Sequence, residues 1–228
     1  LAKKLTEDFD LFVWVNPNSP TGLHVTKADV EAVLRESSAC QRGWIDETYV
    51  DYAGRGHSLE SFAVQSENVI VCKSMSKVYA LSGLRVAYLC ASPHQLETLR
   101  VLTPPWSVSL PAQIAATHAL QSEDYYSMRY RQTHELREEL VNGLRRLGIS
   151  EIVPGVANFV MFHLPAGSRT SARIVIECGR QGLFLRDVSG MGSAIGGHAI
   201  RMAVKDGETN QRMLRIFEEV FSQPGGDE

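Results

Sequence analysis

The sequence predicts an α/β chain: apolar runs of strand length that break into turn chemistry, interleaved with amphipathic helical stretches. Past Gly148 it predicts a smaller α+β module. Three observations carry this. Val69-Ile70-Val71-Cys72 is short and β-branched, stops at Lys73-Ser74-Met75-Ser76-Lys77, and is followed beyond a Ser-Gly pair by a second β-rich run, Val86 to Leu89. Phe12 to Val15 is a similar run, ending in Asn16-Pro-Asn-Ser-Pro-Thr-Gly22, a stretch made wholly of turn formers. Glu123 to Leu147 carries Leu136, Leu140, Leu144 and Leu147 at helical spacing and meets Gly148 where a C′ glycine belongs.

The remaining elements follow in order. Thr26 is placed to cap a helix from Lys27 to Arg35, with Val30, Val33 and Leu34 as its buried stripe. Trp44 to Asp46 reads as a short strand ending in Asp46-Glu47-Thr48-Tyr49, and Gly54 to Ser66 as polar and irregular. Pro93 opens a helix over Gln95 to Val101; the adjacent prolines in Thr103 to Val108 make a rigid connector; Ala112 to Leu120 is a further helix. After Gly148 the strands are Phe159 to Leu164, Leu183 to Arg186 and Ile200 to Val204. Helices fit Ser171 to Arg180 and Glu208 to Phe221, the latter with Met213, Ile216, Phe217 and Val220 inward. Gly190 to Gly197 is glycine-rich but leads from strand to strand, which is not the context of a dinucleotide fingerprint. Gln223 to Glu228 reads as a frayed tail.

Composition narrows the classes of function. With 44% hydrophobic and 21% charged residues over 228 positions, the chain has the make-up of an ordinary globular protein. A net charge of −3 gives no electrostatic reason to expect nucleic acid or an anionic membrane as partner. No apolar run approaches the roughly 18 residues of a spanning helix. Cys40, Cys72, Cys90 and Cys178 are scattered, without a C-x-x-C, and the histidines are not clustered. This predicts reduced thiols, a cytoplasmic location and no metal site.

Ser74-Met75-Ser76-Lys77 followed by Ser82-Gly83-Leu84-Arg85 resembles the Schiff-base lysine segment of the class I and II aminotransferases, enzymes dependent on pyridoxal 5′-phosphate (PLP). Asn16 to Gly22 and Asp46 to Tyr49 resemble two further motifs of that family, in the same order. Any one of the three alone is an ordinary loop; together they are specific. The resemblance implies part of a PLP-transferase large domain with a mainly parallel sheet over residues 1–124. A small C-terminal domain entered by the long helix would occupy 125–222, and 223–228 would form a tail. It begins midway through the family's large domain, so the part carrying the first phosphate-binding turn and the ring-stacking aromatic is expected to be missing.

Carried over residue by residue, Lys77 is the catalytic lysine that holds the cofactor and moves a proton, with burial and Arg85 lowering its pKa. Ser74, Ser76 and Arg85 would grip the cofactor phosphate. Asp46 would pair with the pyridine nitrogen, and Tyr49 and Asn18 would bond the phenolic oxygen. Without the resemblance, Asp46 to Tyr49 is an exposed acidic turn, and Ser74 and Ser76 merely cap a helix after Lys77. The family's loop usually reads Asn-Asn-Pro-Thr-Gly; here Ser19 stands in the second Asn position, and Ser19-Pro20 is a candidate cis bond. Glu47 has no assigned role. In the second module, Arg201 matches an arginine that grips the substrate α-carboxylate. Arg186 matches one facing a distal phosphate in histidinol-phosphate aminotransferases and threonine-phosphate decarboxylases. Their plain alternatives are a surface arginine at a sheet edge and an ion pair with Asp187. The implied activity is transfer of an amino group from an amino acid or amino-phosphate donor to a 2-oxo acid, by a homodimer. The alternatives are a threonine-phosphate-type decarboxylase and a non-catalytic fragment of the fold.

Overall fold

A computed structural model describes residues 9–36, 41–193 and 195–223. Cys40, Ala194 of the glycine-rich stretch and residues 224–228 of the expected tail lie outside the described residues. The chain divides into two compact units. One comprises residues up to Asn18 together with His24–Met128, the other Ser19–Leu23 together with the chain from Arg129 onward.

The first unit is built on a four-stranded sheet, β1 (Leu11–Val15), β2 (Arg42–Asp46), β3 (Val69–Ser74) and β4 (Ala87–Cys90), in that order. The first three strands are parallel and β4 closes the edge antiparallel, so the sheet is mainly parallel. Strand alternation decides which side chains go inward. Ile45, Val69 and Val71 face a core shared with Val30 and Leu34 of α1 (Lys27–Glu36) and with Leu59 and Ala63. The Thr26 hydroxyl caps α1 by accepting from the Asp29 N–H at 3.3 Å.

The stretch expected to be irregular is structured. Behind α2 (Val50–Ala53) it holds a 3₁₀ turn at Arg55–His57 and α3 (Glu60–Gln65). Its buried apolar signal is Leu59, Phe62 and Ala63, one turn of helical spacing, too short to stand out from the polar residues around it. Two helices begin with a serine cap and an early proline: α4 (Pro93–Leu102) behind Ser92 and α5 (Leu110–Gln121) behind Ser109. The connector between them is non-helical, with Trp106 at φ 56°.

Helix α6 (Glu123–Arg146) ends as its glycine predicts. Gly148 has φ +85°, its N–H donates to Arg145 O at 3.0 Å, and Ile149 N–H donates to Leu144 O at 3.1 Å. That is a Schellman closure, completed by burial of both Leu144 and Ile149. The second unit's sheet has the order β5 (Phe159–His163), β7 (Ala199–Ala203), β6 (Arg186–Asp187), all antiparallel. One face, through Val160, Phe162, Ile200 and Met202, packs on α6, α7 (Ser171–Arg180) and α8 (Gly207–Phe221). Strand β6 is two residues long: Leu183 is buried without entering the ladder, and only Arg186 and Asp187 pair with β7.

Candidate functional site

Parallel register brings three motif-bearing ends together in the first unit. Val15, Asp46 and Cys72 lie side by side on β1, β2 and β3. Just beyond, the Asn16 N–H donates to Asp46 O and the Glu47 N–H to Cys72 O, both at 2.9 Å. Asn18, the Asp46–Tyr49 turn and the Ser74–Lys77 turn therefore leave the sheet at the carboxyl ends of neighbouring parallel strands, where ligands of open α/β sheets gather.

Asp46 is half-buried and fixed. One carboxylate oxygen accepts from the Thr48 N–H at 2.9 Å and from the Thr48 hydroxyl at 2.5 Å. Burial, and then the charge of Asp46, push the neighbouring Cys72 thiol up. Tyr49 is buried at the start of α2, and Asn18 is half-buried. The Ser74 hydroxyl accepts from the Ser76 N–H at 3.3 Å, so the two serines share one turn. No helix follows Lys77: the chain makes a turn in which Ala80 N–H donates to Lys77 O at 3.2 Å, then a 3₁₀ turn at Ser82–Leu84. Ala80 and Arg85 both adopt positive φ, at 56° and 53°. The tight reversal keeps Ser74, Ser76, Lys77 and Arg85 in one loop instead of spreading them along a helix. Arg85 is exposed, with its guanidinium donating to Ser82 O at 3.0 Å. Lys77 is exposed too, so the burial expected of its amine is not present in this chain.

Three contributions were not read from the sequence. Asn16, not only Asn18, shapes the first turn: its side-chain amide donates to Val25 O and its carbonyl oxygen accepts from Val25 N–H, each at 2.9 Å. Thr48 locks Asp46, and its signal was there as a hydroxyl two residues after an aspartate. Glu47 is 1% exposed and accepts from the Ser58 hydroxyl at 2.6 Å and the Leu59 N–H at 2.7 Å. Lys73 lies beside it, its ammonium 3.7 Å from Glu47, 3.9 Å from Asp51 and 3.2 Å from Glu60. Burial raises the pKa of both Glu47 and Asp51; Ser58, Leu59 and Lys73 oppose this at Glu47, Lys73 and Arg55 at Asp51.

In the second unit, Arg186 and Arg201 are direct cross-strand partners on β6 and β7. Met161 of β5 is also in register with Arg201, on the sheet face opposite the helices. Arg201 stacks over the Phe159 ring at 4.8 Å and donates to the Ser19 hydroxyl at 3.1 Å. Asp187 accepts from the Ser171 hydroxyl at 2.9 Å and from the Ser189 N–H at 3.0 Å. Burial draws its pKa up, but the bonds from Ser189 and Ser171 outweigh that and leave it below the usual carboxylate range. Like charges set opposite each other on neighbouring strands repel. An anion bound between Arg186 and Arg201 would relieve that repulsion.

Comparison with known proteins matches residues 1–216 to the family model described as aminotransferase class I and II. The chain is 28% identical over 222 residues to a histidinol-phosphate aminotransferase of Methanocaldococcus jannaschii, covering 97% of this chain and 58% of that protein. Among solved structures, the histidinol-phosphate aminotransferase from Clostridium acetobutylicum superposes with a TM-score of 0.84 at 21% identity, over 92% of this chain and 63% of that one. The L-threonine-O-3-phosphate decarboxylase from Porphyromonas gingivalis gives 0.82 at 20% identity, over 96% and 67%. These two structural likenesses speak for the fold. The chain thus spans a little under three-fifths of the curated relative's length.

Proposed function

The chain belongs to the aminotransferase class I and II family, and from that premise we propose that it carries the core of a PLP-dependent transaminase site, moving an amino group from an amino acid or amino-phosphate donor to a 2-oxo acid. The observation that carries this reading is the side-by-side placement of the Asp46 and Lys77 turns at the ends of β2 and β3. The side chains fit the group by their chemistry. Asp46 supplies an anion for a pyridine nitrogen, and Ser74, Ser76 and Arg85 supply hydroxyls and a planar cation for a phosphate. Tyr49 and Asn18 supply donors for a phenolic oxygen, and Lys77 an amine for an aldehyde. When bound, PLP supplies an electron sink for charge developing at the substrate Cα.

Every other task falls to the chain. Thr48 holds Asp46 in one orientation, so a cation at its free edge needs no rearrangement to be met. The Lys77 Nζ would hold the cofactor's aldehyde end and, as an amine beside the substrate Cα, would take a proton there as general base and give it back as general acid. Arg201 and Arg186 hold the substrate's carboxylate and distal phosphate, with Phe159 and Ser19 keeping the Arg201 guanidinium aimed. A homodimer belongs to the same proposal. Its support is the exposed apolar surface at Val101, Leu102, Trp106 and Leu110, the last three of them 67–96% exposed.

The test is product analysis with PLP, histidinol phosphate or threonine phosphate, and a 2-oxo acid. New amino acid without CO₂ supports transamination. CO₂ without amino transfer would replace it with the decarboxylase reading, and a monomer by sedimentation would remove the dimer. Arg201→Ala should raise KM at least tenfold with little change in cofactor affinity, and Arg186→Ala should weaken phosphorylated substrates selectively. Equal loss of substrate and cofactor binding would make these arginines structural.

A further inference from the structure

The alternation of β3 sends consecutive residues to opposite faces of the sheet. Val69, Val71 and Lys73 point to the rear, onto the core, while Ile70, Cys72 and Ser74 point to the front. Front and rear therefore touch through the backbone of adjacent residues: Ser74 follows Lys73, and Glu47 stands between Asp46 and the Thr48–Tyr49 turn. On the rear face the Lys73 side chain is 5% exposed, and its ammonium sits among the carboxylates of Glu47, Asp51 and Glu60. Glu47 is bonded in turn to Ser58 and Leu59. Tyr88, directly across from Lys73 on β4, donates from its hydroxyl to Glu60 at 2.7 Å. One lysine thus gathers the loop after β2, α2, α3 and β4.

We infer that Lys73 and Glu47 are positioning residues, a buried pair that pins the two candidate cofactor turns from behind, and this rests on the reading of the front face given above. The physical case has two parts. First, buried ion pairs are poor stabilisers: desolvation offsets their attraction, and an apolar pair of similar volume often serves as well or better. A charged cluster under a sheet is then better explained by what it specifies than by what it stabilises. Second, a slip of one residue exchanges the faces of a strand. With Lys73 committed to the acidic rear, Ser74 can only face front, and with Glu47 committed to Lys73, Ser58 and Leu59, the Asp46–Tyr49 turn has one rotation. A polar cavity of about 270 Å³ beside Lys73, lined also by Asp51, Glu60, Tyr79 and Tyr88, leaves room for a larger cation. Lys73→Arg is therefore expected to retain the pin.

Hydrogen-exchange mass spectrometry on wild type, Lys73→Met, Glu47→Gln and Lys73→Arg tests this without relying on the cofactor, and PLP titration of the same proteins gives a second readout. Lys73→Met and Glu47→Gln should exchange at least tenfold faster over residues 46–50 and 74–78, with β7 and α8 unchanged, and should bind PLP at least tenfold more weakly. Lys73→Arg should restore both. If Lys73→Met does not fold, Glu47→Gln and Lys73→Arg still decide. Wild-type protection of both turns in Glu47→Gln overturns the inference, and so does faster exchange spread evenly over the chain, the mark of a stabilising role alone. A wild type that binds no PLP would sink the cofactor reading while the exchange data still judged the pin.

Discussion

Asp51 lines the rear cavity; one of its carboxylate oxygens is buried without a hydrogen-bond partner, while the other lies 3.9 Å from the Lys73 ammonium. Burial holds its carboxyl above the ordinary value, with Lys73 and Arg55 only partly offsetting this. A folded-state pKa above the unfolded one means the folded chain keeps the proton longer. The stability from this group is complete below the unfolded pKa, near 4, and is lost as pH rises through the raised folded value. Asp51→Asn cannot ionise. Its melting temperature relative to wild type should therefore rise from pH 4.5 to pH 8, as measured by thermal melts of both proteins. A constant or falling difference would mean that Lys73 fully compensates the carboxylate. Glu47, also raised by burial, is retained in both proteins.

At the scale of elements, two loops of the second unit approach each other backbone to backbone. A Cβ on Gly155 would lie 2.6 Å from Thr21 O and 2.8 Å from Gly22 Cα, both backbone atoms that cannot swing aside. Gly22 itself has φ +73°, and its carbonyl accepts from the Val156 N–H at 2.8 Å. Gly155→Ala should destabilise by about 1–3 kcal/mol through overpacking, read as a lower denaturation midpoint at constant slope. An unchanged midpoint would show that the two loops separate freely. Much at this scale was legible beforehand. Helix α7 runs from Ser171 to Arg180 as its pattern predicts, because Thr170 caps it and its apolar positions recur at helical spacing. The gathering of the Lys77 turn with the ends of β1 and β2 was legible because three separate motifs each follow a strand-like run. The pairing of Lys73 with Glu47 was not: a lysine inside a strand pattern reads as exposed, and its three acids come from loops and short helices with no periodicity. Nor was the two-residue length of β6, since Leu183 to Leu185 are as apolar as a strand but pack or protrude outside the ladder with β7. Burial of Lys77 was expected from its role, and no nearby residue of the chain provides it.

For the molecule as a whole, the family assignment rests on a match running from residue 1 to 216, while the chain covers 58% of the length of a curated relative. The first unit carries the residues proposed to hold the cofactor and the second the two arginines proposed to hold substrate. No described helix is long and apolar enough to cross a membrane, and among the described residues no group of three His, Cys, Asp or Glu side chains is arranged to hold a metal. The proposed function depends on one covalent site. The most direct measurement is to incubate the protein with PLP, reduce with borohydride and map the modified peptides by mass spectrometry. The account predicts a pyridoxyl group on the peptide containing Lys77, saturating at one per chain and absent from Lys77→Ala. Label scattered over surface lysines, or undiminished in Lys77→Ala, would contradict it.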